Sequence, residues 1–243
     1  MISGPTGSGK TTTLYTLKEE KKSPDTNIIT IEDPVEIQIP GLNQVQVNVK
    51  AGMTFASGLR SVLRQDPDIV LVGEIRDGET AEIAMRAAIT GHLVFSTIHT
   101  NDAVSSINRL IDMGLEPYMV SSALVGVVSQ RLVRRICTSC RKSYDPDESE
   151  MTLIKLEPGQ KLYKGEGCTD CNGSGYKGRI AIHEIVIISR KMKALLERRA
   201  SEDDMRKLAV EEGTQMLKDS AAELVLEGIT TMDELKRVAY SID

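Results

Sequence analysis

The sequence predicts an α/β protein whose mostly parallel sheet is covered by helices on both faces. Three observations support this prediction. The chain begins with a complete phosphate-binding loop, Gly4–Thr11. Short apolar runs then alternate with stretches of helical periodicity through the first half, as in repeated strand–helix units. Four cysteines form two C-x-x-C pairs in the second half, which indicates a smaller metal-binding unit.

The phosphate-binding loop carries the pattern G-x-x-x-x-G-K-[ST] and continues into Thr12. Its residues are Gly4, Pro5, Thr6, Gly7, Ser8, Gly9, Lys10 and Thr11. The glycines let the backbone N–H groups converge on phosphate oxygens, Lys10 can reach the β- and γ-phosphates, and the Thr11 hydroxyl can bind Mg²⁺. A helix starting near Thr11 adds the positive end of its dipole. Such loops normally follow a buried strand, so we interpret the chain as the catalytic half of a longer protein.

The remaining elements of the first half follow from local periodicity. Buried strands are predicted for residues 28–31, 69–72 and 93–98. Val45, Val47 and Val49 alternate with polar residues, which predicts a half-exposed strand. Helices are predicted for residues 11–22, 55–63, 79–90, 103–113 and 117–130.

The composition changes near residue 131, and the pattern becomes helical again from Ser189. Helices are predicted around Met192–Leu196, around Met205–Ala209, from Met216 to Leu226 and from Met232 to Tyr240. We therefore divide the chain into a phosphate-loop core (1–133), a tetracysteine metal-binding subdomain (134–181) and a C-terminal helical subdomain (182–243).

Polar residues suited to nucleotide hydrolysis follow the predicted buried strands. One strand ends in Glu32-Asp33-Pro34-Val35-Glu36, the next in Gly73-Glu74-Ile75-Arg76-Asp77, and the third in His99. Ligands of open parallel sheets lie beyond the carboxyl ends of the strands. We therefore expect a lysine, two carboxylates and an imidazole to surround one triphosphate.

These segments resemble those of the secretion ATPases that power type II secretion and type IV pilus assembly. The likeness rests on the phosphate loop, on residues 30–36 (the "Asp box"), 66–77 (an atypical Walker B) and 91–101 (the "His box"), and on the cysteine pairs. It spans essentially the whole chain. The resemblance implies a RecA-like core that hydrolyses ATP as a homo-hexamer. It also implies an inner-membrane platform or docking protein as partner, and a fibre of pilins or pseudopilins.

The resemblance also implies a role for each site residue. Lys10 and Thr11 would bind the phosphates and Mg²⁺, Glu74 would polarise the attacking water, and His99 would contact the γ-phosphate. Glu32 would assist with metal and water. Most phosphate-loop enzymes place an Asp where this chain has Gly73, so part of the metal support would fall on Glu32 or Glu36 through water.

The transition state of phosphoryl transfer needs additional positive charge, often an arginine that contributes about 10³–10⁵ in rate. Arg60, Arg64 and Arg76 are the candidates in this chain, and we place Arg76 in the catalytic set. Relatives also use arginines from a domain upstream of the phosphate loop. We therefore expect this chain alone to hydrolyse ATP more slowly than the complete protein.

Cys137, Cys140, Cys168 and Cys171 are predicted to bind one structural Zn²⁺. Each C-x-x-C pair supplies two thiolates, and two pairs complete the tetrahedral sulfur shell that zinc prefers. Neighbouring basic residues are expected to balance the thiolate charge: Arg131, Arg134, Arg135, Arg141 and Lys142. In the family that the chain resembles, the segment with the four cysteines is typical of assembly and export motors and is generally absent from retraction motors.

The other histidines are less clear from the sequence. His92 precedes its strand, so a structural or interface role and a contact with nucleotide both stay open. His183 is interpreted as an ordinary strand residue and not as a fifth metal ligand.

Composition argues against some classes of function. The net charge is −5, aromatic residues make up 3% and tryptophan is absent, which disfavours nucleic-acid binding. Apolar runs are far shorter than the about 20 residues of a membrane span, so we expect a cytoplasmic protein. The resemblance implies that it is attached to the inner membrane through partners. Two alternatives remain, a zinc-containing nucleic-acid translocase and a non-catalytic ATP-binding module. Hydrolysis stimulated by DNA would support the first, and absence of phosphate release the second.

Overall fold

The computed structural model of the chain describes residues 1–239. The strands are β1 (Ile2–Ser3), β2 (Ile28–Glu32), β3 (Asn43–Gln46), β4 (Ile69–Val72), β5 (Leu93–Ile98), β6 (Gly126–Ile136), β7 (Arg141–Tyr144), β8 (Leu162–Gly165) and β9 (Tyr176–Ile187). The helices are α1 (Lys10–Lys21), α2 (Phe55–Val62), α3 (Gly78–Ile89), α4 (Ala103–Asp112), α5 (Pro117–Ala123), α6 (Glu148–Ile154), α7 (Arg190–Glu197), α8 (Glu202–Glu211), α9 (Leu217–Leu226) and α10 (Met232–Ala239). Short 3₁₀ helices cover Val49–Ala51 and Thr169–Cys171.

Within the described residues, a seven-stranded sheet has the order β3-β2-β4-β5-β1-β6-β9, and β7 and β8 form a separate antiparallel pair. The pairs β2–β3, β2–β4, β4–β5, β1–β5 and β1–β6 are all parallel. An α/β fold with a mostly parallel sheet is therefore confirmed.

The chain folds into two compact units. Among the described residues, the first unit contains 1–129 and 185–214, and the second contains 130–184 and 215–239. Strands β6 and β9 each contribute residues to both units. The linear boundaries after residues 133 and 181, drawn from the sequence, stay a prediction.

In the first unit, the register of the parallel strands sets the position of the functional residues. Ile31 of β2 pairs with Val72 of β4, Val72 pairs with Ser96 of β5, and Ile98 of β5 pairs with Ser3 of β1. All residues of β2 and β4 are buried, as expected for central parallel strands covered on both faces. The segments that follow these strands therefore leave the sheet at one edge.

Side-chain caps start the helices that leave this edge. Asp77 accepts a hydrogen bond from the Thr80 amide at 2.8 Å and begins α3. Asp102 accepts one from the Ser105 amide at 2.7 Å and begins α4. Each carboxylate satisfies an amide that has no partner within its helix. Asp102 also binds Arg206 of α8 at 2.7 Å, which joins this C-terminal helix to the start of α4.

The core of the first unit includes the C-terminal helices α7 and α8. Met192, Leu196 and Met205 from these helices are buried in the same apolar cluster as Leu59 and Ile107. The sequence pattern alone assigned α7 and α8 to a separate helical segment, because periodicity shows that a helix has an apolar face but not what the face contacts.

The second unit has its own apolar core, in which Val133, Leu162 and Ile182 pack with helices α9 and α10. Glu234 of α10 is fully buried there. It accepts hydrogen bonds from the Arg134 amide at 2.8 Å and from the Arg134 and Arg237 side chains. These bonds connect α10 to strand β6.

The structure corrects the sequence prediction in several places. The helix predicted for residues 117–130 is wrong beyond Ala123, because the segment from Gly126 forms β6 and pairs with β1. Val49 lies in a 3₁₀ helix and not in the predicted strand. Helix α6 and the β7–β8 pair were not predicted. Tyr240, the predicted end of the last helix, lies outside the described residues.

Among the described residues, no helix is long and apolar enough to cross a membrane.

The Glu234 contacts predict an acid-sensitive second unit. Burial raises the pKa of Glu234, but the donors of Arg237 and Arg134 outweigh burial and lower the pKa below its usual value. A lowered pKa contributes stability above the unfolded-state pKa of about 4.3, and this contribution is lost as the pH falls through the folded-state pKa. Replacing Glu234 with Gln should reduce the free energy of unfolding by about 1–3 kcal/mol at neutral pH.

Urea unfolding of wild type and Glu234→Gln between pH 3 and 7 checks this expectation. The difference between them should shrink toward acid pH. Asp233→Asn is the matched control, because Asp233 is the exposed neighbour on the same helix. A Glu234→Gln difference that stays constant with pH would contradict a role for the Glu234 charge.

Candidate functional site

The phosphate-binding loop occupies the edge of the sheet between β1 and α1. Gly7 and Gly9 have φ values of 79° and 88°, in the left-handed region that side chains disfavour, and Gly9 directly precedes α1. The Lys10 ammonium lies back over the loop and donates to the carbonyl oxygens of Gly4 at 2.7 Å and Pro5 at 3.0 Å. The loop thus has the strand–loop–helix context that the motif requires.

Lys10 and Glu74 lie close enough for their charges to interact. Burial lowers the pKa of Lys10, while the negative charge of Glu74 raises it in part. Lys10 follows β1 and Glu74 follows β4, so the sheet brings together two residues that are far apart in the sequence. The structure confirms that these two strand ends meet.

The Glu74 carboxylate lies between the side chains of His99 and Arg76. Its Oε2 lies 3.2 Å from His99 Nε2, and its Oε1 accepts a hydrogen bond from the Arg76 guanidinium. Arg76 also lies 3.6 Å from Asp33, which follows β2. The Glu74 side chain is 16% exposed, while His99 and Arg76 are more open to solvent. Groups that follow β2, β4 and β5 are therefore linked to one another through Arg76 and Glu74.

Gly73 occupies a position where the backbone of two strands comes close. A Cβ atom there would lie 3.1 Å from the Ile31 carbonyl oxygen and 3.4 Å from the Glu32 Cα. The Gly73 amide donates to Ile31 at 2.8 Å, and the Gly73 carbonyl accepts from the Thr97 hydroxyl at 2.7 Å. A side chain at this step would require these backbone atoms to shift by a few tenths of an ångström, and Glu74 is the first carboxylate beyond β4.

The three candidate arginines have different surroundings. Only Arg76 of these three binds Glu74. Arg60 pairs with Glu79 of α3 at 2.6 Å on the surface, and Arg64 is exposed on the segment after α2. The structure thus singles out Arg76, which sequence reasoning had placed in the catalytic set.

Glu32 has a more enclosed environment than the sequence suggested. Its Oε1 accepts hydrogen bonds from Lys18 at 2.9 Å, Thr30 at 2.6 Å and Gln44 at 3.2 Å. Its Oε2 accepts one from the Tyr15 hydroxyl at 2.8 Å. The side chain is buried, and these donors occupy most lone pairs of a carboxylate. These contacts favour an anchoring role for Glu32. The role expected for it with metal and water stays a prediction.

Sequence reasoning missed Tyr15 and Lys18. Both lie on the buried face of α1, three residues apart and therefore adjacent on the helix surface. A lysine on the apolar face of a helix was the signal that could have indicated a buried charged partner. Glu36, the other residue expected to support the metal, is exposed, as are Thr11 and Thr12 at the start of α1.

The remaining histidines lie elsewhere. His92 directly precedes β5, and its Nδ1 lies 3.1 Å from the Ala87 carbonyl oxygen near the end of α3. It is therefore at the opposite end of β5 from His99, which favours a structural role. His183 lies in β9, and the cysteine cluster does not include it.

The cysteines of the second unit form one cluster with the geometry of a metal centre. Their sulfur atoms all lie within 4.8 Å of one another, with pairs at 3.7 and 3.8 Å. Four sulfurs bound to zinc at about 2.3 Å lie about 3.8 Å apart in a tetrahedron. A disulfide requires about 2.05 Å. The residues present therefore fit a tetrahedral zinc site and do not form disulfides.

Backbone contacts shape this cluster. The amides of Cys168 and Gly175 donate to the Cys171 sulfur at 3.2 and 3.3 Å. Burial raises the pKa of the Cys171 thiol, but these amides and the neighbouring thiols lower it below its usual value. A Cβ on Gly165 would lie 2.0 Å from the Gly175 carbonyl oxygen, and one on Gly175 would lie 2.5 Å from the Gly165 carbonyl oxygen, so both positions require glycine.

The nearby basic side chains bind partners other than the cysteines. Arg134 lies over the Tyr176 ring and pairs with Glu234, and Arg141 lies over the Tyr163 ring. Lys142 pairs with Glu166 at 2.6 Å, while Arg131 is buried and Arg135 is exposed. These contacts do not support the expectation that Arg134, Arg141 and Lys142 balance thiolate charge.

The chain is similar to known proteins of one family. The family model described as type II/IV secretion system protein matches residues 1–237. The chain therefore belongs to that family, and the resemblance drawn from its motifs is confirmed. The chain is 48% identical over 240 residues to type II secretion system protein E of Pseudomonas aeruginosa and 49% identical over 239 residues to the type IV pilus assembly ATPase PilB of Thermus thermophilus.

These relatives are longer than this chain. The alignment covers 98% of this chain and 48% of the Pseudomonas protein, and 97% and 27% for the Thermus protein. The chain spans about half the length of the first and about a quarter of the second.

Solved structures with the same fold include the pilus retraction motor PilT with bound ADP. The TM-score is 0.73 at 29% identity, with coverage of 98% of this chain and 60% of that chain. The ATPase DotB of Legionella pneumophila gives a TM-score of 0.69 at 23% identity, covering 99% and 59% of the two chains, and shows the fold alone.

The sulfur geometry predicts one bound zinc ion per chain that stabilises the second unit. Titration of the purified chain with a thiol-modifying reagent should release about one equivalent of zinc, detected with a chromophoric chelator. Cys140→Ser should lower the zinc content and the thermal stability, because three sulfurs leave the shell incomplete. Ser143→Ala, an exposed position on the adjacent strand, is the control. Full zinc content in Cys140→Ser would contradict the tetrahedral assignment.

Proposed function

We propose that this chain binds MgATP through Gly4–Thr12 and hydrolyses it. The observation that carries the proposal is the Glu74 carboxylate, held between His99 and Arg76 at the sheet edge where its charge reaches Lys10. A lysine in a phosphate-binding loop, a partly exposed carboxylate and a cation beside it are the groups that phosphoryl transfer to water requires. Membership of the family supports the same reaction class.

Each side chain has a defined task in this proposal. The loop amides and Lys10 bind the β- and γ-phosphates, and the Thr11 hydroxyl contributes to Mg²⁺ binding, which neutralises charge on the phosphates. Glu74 accepts a proton from the attacking water. His99, whose Nε2 lies 3.2 Å from Glu74, orients that carboxylate and contacts the γ-phosphate. Arg76 exchanges its contact with Glu74 for the charge that develops on the transferred phosphoryl group.

The zinc centre has a structural task in the proposal. All four cysteines serve as ligands, so no coordination position remains open for substrate. Zn²⁺ cross-links the two knuckles in a unit whose apolar core is small. The similar relatives in secretion and pilus assembly favour an export or assembly motor for this chain.

The working assembly in the proposal is a homo-hexamer in the cytoplasm, docked to an inner-membrane platform protein. Two observations support an assembly of several chains. Of the three candidate arginines, only Arg76 reaches Glu74 within one chain, and the Pseudomonas relative contains further residues outside the matched segment. A neighbouring chain or the upstream region would supply the remaining positive charge. Hydrolysis would then move the partner that builds the pilus or pseudopilus fibre.

The role of Glu74 predicts a variant that binds ATP but does not turn it over. Glu74→Gln keeps the size of the side chain and removes the base, so phosphate release should fall about 10²–10³-fold. Affinity for a fluorescent ATP analogue should change little, because the loop residues are intact. Phosphate release and analogue binding are measured with the same preparation.

Glu79→Gln is the matched control for this prediction. Glu79 is an exposed glutamate five positions further along, paired with Arg60 on the surface of α3. Its substitution should leave turnover within about twofold of wild type, as for most surface changes. Retained hydrolysis in Glu74→Gln would remove Glu74 from the role of base, and an inactive wild-type chain would contradict the proposed function.

A further inference from the structure

The helix that follows the phosphate loop carries a buried cation. Lys18 has 1% of its side chain exposed, and its ammonium lies 2.9 Å from Glu32 Oε1 and 3.6 Å from the centre of the Tyr15 ring. Burying an ammonium is costly unless it is paired. Lysines of surface helices normally reach water, so this lysine has a specific partner and not a solvated face.

Tyr15 extends the same contact to the segment after β2. Its hydroxyl donates to Glu32 Oε2 at 2.8 Å and accepts from the backbone amides of Glu36 at 3.1 Å and Ile37 at 3.0 Å. A phenol hydroxyl can donate one hydrogen bond and accept two, so these three bonds complete its capacity. The hydroxyl therefore fastens both ends of residues 32–37 to α1.

Asp33 lies within that fastened segment. Its carboxylate is 3.6 Å from Arg76, and Arg76 binds Glu74. A continuous set of contacts thus runs from the phosphate-loop helix through Tyr15, through residues 32–37, to the guanidinium beside Glu74. A shift of α1 relative to β2 would move Asp33 and release Arg76.

We propose that Lys18 and Tyr15 are positioning residues of the nucleotide site, which use Glu32 as a buried anchor to hold residues 33–37 and Arg76 in place. This inference rests on the proposed function, since it assigns residues to the same site. It gives Glu32 a task that its contacts already show. A bonded and enclosed carboxylate fixes a loop more effectively than it exchanges ligands with a metal ion.

The alternative is that Lys18 serves only to stabilise the fold. A purely structural lysine would change the unfolding free energy without changing the chemical step. A positioning lysine changes kcat more than KM, because the phosphate loop still binds the nucleotide while Arg76 and Glu74 lose their alignment. The two interpretations therefore differ in a measurable way.

The kinetic test compares Lys18→Met and Tyr15→Phe with wild type. Both variants should lower kcat for ATP hydrolysis by about tenfold or more, with KM for MgATP within about twofold. Lys21→Met is the matched control, since Lys21 is exposed at the end of the same helix. Unchanged kcat in Tyr15→Phe and Lys18→Met, or equal loss in Lys21→Met, would overturn the inference.

A double-mutant cycle tests whether Lys18 acts through Glu32. In a Glu32→Gln background, Lys18→Met should lower kcat by no more than about twofold, because the carboxylate charge that pairs with Lys18 is already gone. If the two losses multiply, Lys18 acts independently of Glu32 and the inference fails.

The pH dependence gives a second signature of the pair. The titratable groups facing Glu32 are Tyr15 and Lys18 on α1, while β3 contributes the neutral Gln44 and β2 the neutral Thr30. Burial raises the pKa of Glu32, and these donors together lower it below its usual value. Removing Lys18 leaves the burial in place, so protonation of Glu32 moves toward neutral pH.

The kcat of Lys18→Met relative to wild type should therefore fall further as the pH is lowered from 8 to 6. The doubly substituted Lys18→Met/Glu32→Gln chain should show no such acid loss, because glutamine does not titrate. A flat ratio in Lys18→Met would contradict the anchor.

Hydrogen exchange separates failure of the inference from failure of the proposed function, because it needs no turnover. The amides of Glu36 and Ile37 should exchange about tenfold faster in Tyr15→Phe, while those of β4 keep the wild-type rate. Unchanged exchange at these amides overturns the anchor even in an inactive chain. Faster exchange in a chain whose wild type releases no phosphate would refute the proposed function and the kinetic role together.

Discussion

The parallel register of β1, β2, β4 and β5 is the constraint on which the site depends. Parallel strands with aligned registers must release their following segments at the same edge, and here those segments carry Lys10, Glu32, Glu74 and His99. A slip of one residue would turn each strand's side chains to the opposite face of the sheet. Burial of every residue in β2 and β4 makes such a slip costly, so packing of the core and placement of the site are the same requirement.

Within that edge, Glu74, Asp33 and Glu32 each lie beside a basic side chain. Glu74 is shared between His99 and Arg76, Asp33 holds the other side of Arg76, and Glu32 is neutralised from α1 by Lys18. Carboxylates placed at one sheet edge repel one another unless cations separate them. Glu74 and Glu32, the two glutamates that the sequence placed in the catalytic set, nevertheless differ in access. Glu74 is partly open, which suits a group that exchanges partners during a reaction, whereas the donors around Glu32 enclose it.

The second unit uses a different source of stability. Its apolar core is smaller, and the tetracysteine cluster, the close glycine crossing of Gly165 with Gly175 and the buried Glu234 supplement it. Each of these features is local to a few residues and depends on fixed geometry more than on buried area. Small units commonly rely on metal ions or cross-links for this reason. The cysteine spacing predicted the cluster, because each C-x-x-C pair brings two thiolates together and two such pairs complete a tetrahedral sulfur shell.

The sequence alone indicated the phosphate-binding loop, the cysteine cluster and the order of most core elements. Phosphate-loop and cysteine patterns are local, and buried strands followed by polar residues are visible without coordinates. Tertiary structure decided what depends on contacts between distant residues. It turned the second half of the predicted 117–130 helix into β6, because pairing with β1 outweighs local periodicity. It also placed Arg76, of the three candidate arginines, against Glu74 and enclosed Glu32 with Tyr15 and Lys18. Distance between side chains is a property of packing, and helical spacing shows only that two residues share a face.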